Sequence, residues 1–239
     1  MSSSAVEAAK RAAAQAAVAL VETGMRIGLG TGSTARHAVQ ALGRRVRDEG
    51  LSVQAIATSA ETEAQAREVG ITLADFAAVT ELDLAIDGAD EVERGSLRLI
   101  KGLGGALLRE KIVAQAARRF VVIADTSKPV DILGSGAPLP VEVVRFGHEA
   151  VARRLAALGG APILRRRNDN PFVTDSGHLI YDCAGFGPIR DPHTLNRGLR
   201  AIAGVMETGL FLEMAEQAII GAPDGSVSVM RPARQRGMA

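Results

Sequence analysis

The sequence predicts an α/β fold: a doubly wound, Rossmann-like, mostly parallel sheet with a second, smaller ferredoxin-like α+β domain. Three observations carry that expectation. From Met25 onward, short apolar runs alternate with helical stretches, the grammar of a parallel sheet with helices on both faces. Gly134, Gly136, Pro138 and Pro140 interrupt the alternation, and the order after them becomes β-α-β-β-α-β. With 239 residues, 47% hydrophobic and 23% charged, the chain suffices for one large domain or two modest ones.

The stretch 12–21 is apolar enough to pass for a signal sequence, but it is Ala-rich, contains Gln15 and is flanked by Glu7 and Glu22, so it reads as a helix. No other segment has the apolar length of a membrane span, and a cytoplasmic location with no membrane partner is expected. Strands are expected over 25–29, 53–57, 71–73, 82–86, 98–100 and 120–124, and helices over 35–47, 61–69 and 106–117. The second unit reads as strand 139–144, helix 149–158, strand 162–166, strand 172–183 turning near 175–177, helix 193–203 and strand 205–208. The expected partition is 1–133 with 209–239 for the large unit and 134–208 for the small one. The apolar stretch 213–220 should return to the large sheet as an edge element.

Composition narrows the partners. The 28 basic and 27 acidic side chains nearly cancel, aromatics make up 3% and Trp is absent, so nucleic acid finds neither an electrostatic footprint nor a stacking platform. A small ligand is the expectation. The single Cys183 has no intrachain disulfide partner and reads as a small buried hydrophobe. His37, His148, His178 and His193 show no metal-ligand spacing, so no metal and no cofactor are expected. The run Arg165, Arg166 and Arg167 reads as a solvated strand end.

Chemistry is concentrated at four places. The segment GLGTGST, Gly28 to Thr34, follows a strand and opens a helix, where glycines admit an anion and unpaired N–H groups attract it; a bare turn with a helix cap has the same look. It lacks the third glycine of a dinucleotide fingerprint, since Ser33 stands there, and the Walker lysine. The acids of DGADE, 87–91, lie at the carboxyl end of a strand, facing the crevice of a doubly wound sheet. Proton transfer, a turn and a Mg²⁺ site are all compatible with them. In KGLGGA, 101–106, Lys101 can place positive charge beside an oxyanion. The helix after it carries Glu110, whose neighbours Ala106, Leu107, Val113 and Ala114 are all apolar. Partial burial would raise its pKa and suit it to a carbon-bound proton. Lys128, in TSKP, can reach the same crevice or sit as a solvated loop lysine.

GLGTGSTA, DGADE, KGLGGALLREKIV, SKPVDILG, PLPVEV and the later GLF together resemble ribose-5-phosphate isomerase of type A, in the same order and over most of the chain. The resemblance implies interconversion of ribose 5-phosphate and ribulose 5-phosphate in the pentose phosphate pathway, without a metal, by a homodimer or larger homo-oligomer. The small unit would serve assembly outside the catalytic crevice. By motif, the substrate would meet Lys10, Thr31, Gly32, Ser33 and Thr34, then Asp87, Gly88, Ala89 and Asp90, then Lys101, Gly102, Leu103 and Gly104, with Lys128. Glu110 would remove the carbon-2 proton to give a cis-enediolate, Lys101 would steady its oxyanion, and Asp87 and Asp90 would handle hydroxyl protons and ring opening. Leu103 departs from the family's usual glycine. Two rivals share this architecture: a sugar-phosphate-sensing regulator domain, which needs a DNA-binding module for which the single helix before the first strand leaves no room, and a coenzyme A transferase, whose carboxylate is a nucleophile.

Overall fold

The computed structural model describes residues 3–233. In chain order the first elements are α1 (Ser3–Val18), β1 (Arg26–Leu29), α2 (Ser33–Glu49), β2 (Gln54–Ala57), α3 (Ala60–Glu68), β3 (Thr72–Leu73) and β4 (Leu84–Gly88). Then come β5 (Glu91–Glu93), β6 (Leu99–Ile100), α4 (Leu107–Ala116), β7 (Phe120–Asp125) and β8 (Pro129–Val130). The later part holds β9 (Leu139–Val143), α5 (His148–Ala157), β10 (Pro162–Leu164), β11 (Arg166–Arg167), β12 (Asn170–Pro171), β13 (Leu179–Cys183) and α6 (Pro192–Arg200). It closes with β14 (Val205–Thr208), β15 (Leu210–Phe211), β16 (Gln217–Gly221) and β17 (Val227–Met230).

The main sheet runs β17-β16-β7-β4-β1-β2-β3, parallel except for β17. Strands β4, β7 and β16 are almost wholly buried, because helices cover both faces and leave no wet side for polar residues. On one face Ile27, Leu29, Leu42, Ile86 and Ile123 pack under α1 and α2; on the other Val113, Phe120, Val122, Phe211 and Ile220 form a second core. The chain builds outward from β1 to β2 and β3, then returns to β4 on the other side of β1. Loops leaving the carboxyl ends of β1 and β4 therefore diverge and open a crevice.

Helix α1 lies close on the sheet because its inner face is alanine: Ala9, Ala13, Ala14 and Ala17 are fully buried. The approach is so tight that a Cβ on Gly221 would fall 1.9 Å from the Ala9 carbonyl oxygen. That fit fixes where α1 presents its polar side.

The small sheet has the order β10-β13-β9-β14, antiparallel throughout, with α5 and α6 as the crossovers of two β-α-β halves, a ferredoxin-like arrangement. Its core joins Val141, Val143, Leu155, Leu179 and Leu199 to Ile100 and Leu210 from outside the unit.

Three expectations need correction. Residues 98–100 do not join the parallel sheet: β6 belongs to a separate sheet, β15-β6-β5-β8, antiparallel to both neighbours, since the chain doubles back directly after β5. The expected strand 172–183 is a strand only over Leu179–Cys183. Ahead of it β11 and β12 form a tiny hairpin, whose two-residue loop puts Asn168 and Asp169 at positive φ, 50° and 64°. The tail returns to the large sheet, but β16 is an internal strand and β17 is the edge. Residues 234–239 of the expected partition, with residues 1 and 2, lie outside the described residues.

Gly221→Val tests the α1 contact. Its backbone has no left-handed φ, so the effect is steric, and a loss of about 1–3 kcal/mol of unfolding free energy is expected in denaturant melts.

Candidate active site

The crevice at the β1–β4 divergence is a cavity of about 400 Å³. One end is built for an anion. Gly32, the residue before α2, sits at φ 105°, a conformation that suits glycine and points the first turn of the helix at the cavity. Ser33 and Thr34 line this end with Gly32, and Lys10 arrives from the polar side of α1. The Lys10 Nζ donates to Ser33 Oγ at 3.0 Å and to Glu7 Oε1 at 2.9 Å. Glu7 also meets His37 Nε2 at 2.8 Å, and its hydrogen bonds to Lys10 and His37 hold its carboxyl down to about 2. Lys10 is thereby aimed by a carboxylate that stays ionised.

Thr31 lines the cavity, but its polar groups serve the scaffold. Its N–H donates to Asp87 Oδ1 at 3.1 Å, and its hydroxyl joins those of Thr58 and Ser59 at 2.7 and 2.8 Å.

The other end holds charge out of water. Asp87, Lys101 and Glu110 are 3%, 2% and 3% exposed. Asp87 fits under the β1 loop because position 30 is glycine; a Cβ there would lie 1.9 Å from Asp87 Oδ1. The carboxylate accepts from the Gly88 N–H at 2.7 Å, and its Oδ2 lies 2.8 Å from Lys101 Nζ. The same ammonium donates to the Gly88 carbonyl at 2.7 Å and stands 3.4 Å from Glu110 Oε2. Glu110 Oε2 is buried without a hydrogen-bond partner.

Burial alone would lower the Lys101 pKa, but Asp87 and Glu110 outweigh it and hold the ammonium charged. Desolvation pushes both carboxyls up and Lys101 opposes it in each; at Glu110, which reaches about 8, Asp87 and Asp90 add repulsion. Asp87 meets three donors and Glu110 Oε2 has none, so the negative charge is better stabilised on Asp87 and the higher proton affinity belongs to Glu110. A carboxyl of this kind, next to a fixed cation, is suited to moving a carbon-bound proton beside a developing oxyanion.

Asp90, Gly88 and Ala89 line the cavity, as do Gly102, Gly104 and Lys128. The Lys101 turn takes left-handed φ at Gly102 (113°) and Gly105 (86°), not at position 103, which is why leucine fits there without strain. Leu103 points outward, 42% exposed, and its N–H is taken by Asp90 Oδ2 at 2.9 Å. Leu103 and the Asp87 side chain thus stand outside the cavity wall, Asp87 behind Lys101.

Glu91, the last acid of DGADE, is not at the site. It is buried and accepts from the N–H groups of Gly134, Gly136 and Ala137, tying down the segment before β9. Nor is Arg165 a solvated strand end: half-buried, it reaches the Lys101 turn, so the small sheet touches the crevice, whereas Arg166 and Arg167 are exposed. Val6 and Asp125 are cavity residues outside the four motifs, and Ser127, within TSKP, lines the cavity beside Lys128. Asp125 ends β7, beside β4, and the strand-end argument that marks Asp87 applies to it equally. Val6 lies one helical turn before Lys10.

Among the described residues, no helix is long and apolar enough to cross a membrane, and no cluster of three His, Cys, Asp or Glu side chains is placed to hold a metal ion.

The electrostatics give a stability test. Unfolded, Glu110 titrates near 4.5; folded, near 8, so the wild type is favoured below 4.5 and loses stability as pH rises through this window. Glu110→Gln should match wild type near pH 4.5 and exceed it increasingly up to pH 8, by at most about 1.4 kcal/mol per pH unit, then level off. Thermal melts across this range check it.

A family model described as ribose 5-phosphate isomerase A (phosphoriboisomerase A) matches residues 54–225. The ribose-5-phosphate isomerase A of Gluconobacter oxydans is 56% identical, over 90% of this chain and 94% of its own length. That of a Roseiflexus species is 54% identical over 95% and 97%. Among solved structures, ribose 5-phosphate isomerase A from Methanocaldococcus jannaschii superposes with a TM-score of 0.88 at 40% identity, covering 93% of this chain and 97% of that one. A D-ribose-5-phosphate isomerase in complex with phospho-erythronic acid gives the same TM-score and coverage at 36% identity. The match in sequence, length and fold means that this chain belongs to the ribose 5-phosphate isomerase A family.

Proposed function

We propose that the cavity interconverts D-ribose 5-phosphate and D-ribulose 5-phosphate through a cis-enediolate, with Glu110 as the base. The family makes the chain an aldose–ketose isomerase; the assignment of steps to residues is our reading. The observation that carries it is the Glu110 carboxyl, buried, without a hydrogen-bond partner at Oε2, and 3.4 Å from an ammonium.

The phosphate sits at the α2 N-terminus, met by Ser33, Thr34 and Lys10, with Lys128 on the cavity wall. This anchors the open-chain sugar so that carbons 1 and 2 lie at the Lys101 end. Ionised Glu110 takes the proton from carbon 2, and the electron pair of that bond forms the carbon 1–carbon 2 double bond as the aldehyde oxygen becomes an oxyanion. Lys101 and the N–H groups of its glycine turn stabilise that charge. The proton on the carbon-2 oxygen moves to the carbon-1 oxygen, and Glu110 returns its proton to carbon 1. Asp87, saturated by its donors, holds Lys101; Asp90, on the wall, serves hydroxyl protons and ring opening. The relative bound to phospho-erythronic acid, a phosphorylated sugar acid, supports this ligand class.

No step needs a metal, because Lys101 occupies the place where a cation would steady the oxyanion. We place the reaction in the pentose phosphate pathway, in the cytoplasm, and the assembly as a homodimer or larger homo-oligomer. We divide the chain into 1–133 with 209–239 and 134–208, an assignment supported by the four-stranded sheet that the second segment forms from its own strands.

Glu110→Gln keeps size and shape but cannot accept a proton, so kcat should fall roughly 10²- to 10⁴-fold with KM little changed. Near-normal turnover, or solvent deuterium exchange at carbon 2 lost with Asp87→Asn and kept with Glu110→Gln, would move the base to Asp87. Because the base works ionised, kcat/KM should fall as pH drops below about 8, approaching tenfold per pH unit. Free ribose should be a very poor substrate, and inorganic phosphate should compete. Activity should survive exhaustive chelation; loss restored by one divalent ion would overturn the metal-free chemistry.

A further inference from the structure

The Lys101 turn is held from outside the large sheet. Arg165, between β10 and β11, donates from Nη1 to the Gly102 carbonyl at 2.8 Å and to the Leu103 carbonyl at 3.2 Å. The rest of the guanidinium is gripped by Asp182 on β13, Nε to Oδ2 at 2.9 Å and Nη2 to Oδ1 at 2.5 Å. A fork bound at both edges has little freedom to follow the turn if it shifts. Phe172 closes the same contact: a Cβ on Gly105 would lie 2.5 Å from its ring, and Arg165 and Arg167 stand 5.9 and 4.9 Å from the ring centroid.

In a planar trans peptide the N–H points away from the C=O. Drawing the Gly102 and Leu103 carbonyls toward Arg165 therefore turns the N–H groups of Leu103 and Gly104 the other way. Asp90 Oδ2 takes the first at 2.9 Å. The second belongs to Gly104, on the cavity wall.

We infer that Arg165 is a positioning residue for the isomerisation: from the small sheet it fixes the Gly104 N–H as an oxyanion donor and, through the Leu103 peptide, the carboxylate of Asp90. This rests on the isomerase reading and extends it to an arginine outside the cavity wall. A donor held in place before charge develops needs no reorganisation when the enediolate forms, so its effect belongs to the chemical step.

The test compares Arg165→Met, Asp182→Asn and the control Arg166→Met; Arg166 is exposed and bonds the Asp169 carbonyl within the β11–β12 hairpin. Readouts are kcat and KM for D-ribose 5-phosphate, and inhibition by phospho-erythronic acid and by inorganic phosphate. Arg165→Met should lower kcat about 10- to 100-fold and weaken phospho-erythronic acid by a similar factor, with KM and phosphate inhibition within about twofold of wild type. Asp182→Asn, which loosens the fork but keeps the guanidinium, should show the same pattern at smaller amplitude and decides the matter if Arg165→Met does not fold. Arg166→Met should behave as wild type. An unimpaired kcat in a folded Arg165→Met, or equal weakening of phosphate and phospho-erythronic acid, overturns the positioning role alone. A wild-type chain inert toward D-ribose 5-phosphate overturns the isomerase reading and the positioning role with it.

Discussion

The buried ammonium of Lys101 organises this molecule. Removing an ion from water carries a penalty of several kcal/mol even after relaxation, and the pair it makes with Asp87 would be no more stabilising than well-packed hydrophobic side chains of the same volume. The geometry persists because its contacts come from two separate elements, Asp87 and the Gly88 carbonyl at the end of β4 and Glu110 on α4. Two carboxyls around one cation leave a surplus negative charge in a dry place. Glu110, with fewer donors than Asp87, absorbs the surplus as a raised proton affinity, so the feature that weakens the fold is the one that equips the site.

Holding that ammonium sets demands on distant segments. Glycine at position 30 makes room for the Asp87 carboxylate. Strand β6 leaves the parallel sheet, so that Lys101 enters the crevice from the side, its N–H bonded to the Gly209 carbonyl at 2.9 Å. Helix α4 must then hold Glu110 at a fixed depth, and the next residue does this. Buried Lys111 donates to Glu207 Oε1 at 2.8 Å and to the carbonyls of Thr208 and Leu210 at 2.7 and 2.8 Å. The Phe211 ring meets both lysines, its centroid 5.4 Å from the Lys101 ammonium and 4.7 Å from that of Lys111. One ring thus contacts both the cation of the site and the cation that fastens the helix.

The anion end follows a different economy. It is built from the 32–34 turn that opens α2, with Lys10 brought by α1, whose seat is set by an alanine face against Gly221. This end and the Lys101 end line one and the same cavity of about 400 Å³.

Sequence by itself determined the architecture and most of the residues that line the cavity. Alternating apolar runs and helical stretches specify the doubly wound sheet, because periodicity is a local property; glycine before a helix and acids after a strand mark the crevice for the same reason. Glu110 was legible from four apolar neighbours, since a helix places i±3 and i±4 side by side whatever surrounds it. What only the tertiary structure decided was which groups meet across long separations. That Glu91 caps the 134–137 segment, that Leu103 spends its N–H on Asp90 and that Arg165 reaches the Lys101 turn are contacts over 43, 13 and 63 residues, set by how the sheets pack. Local spacing carries no trace of them: an arginine run looks solvated until a second sheet brings a turn of carbonyls to it.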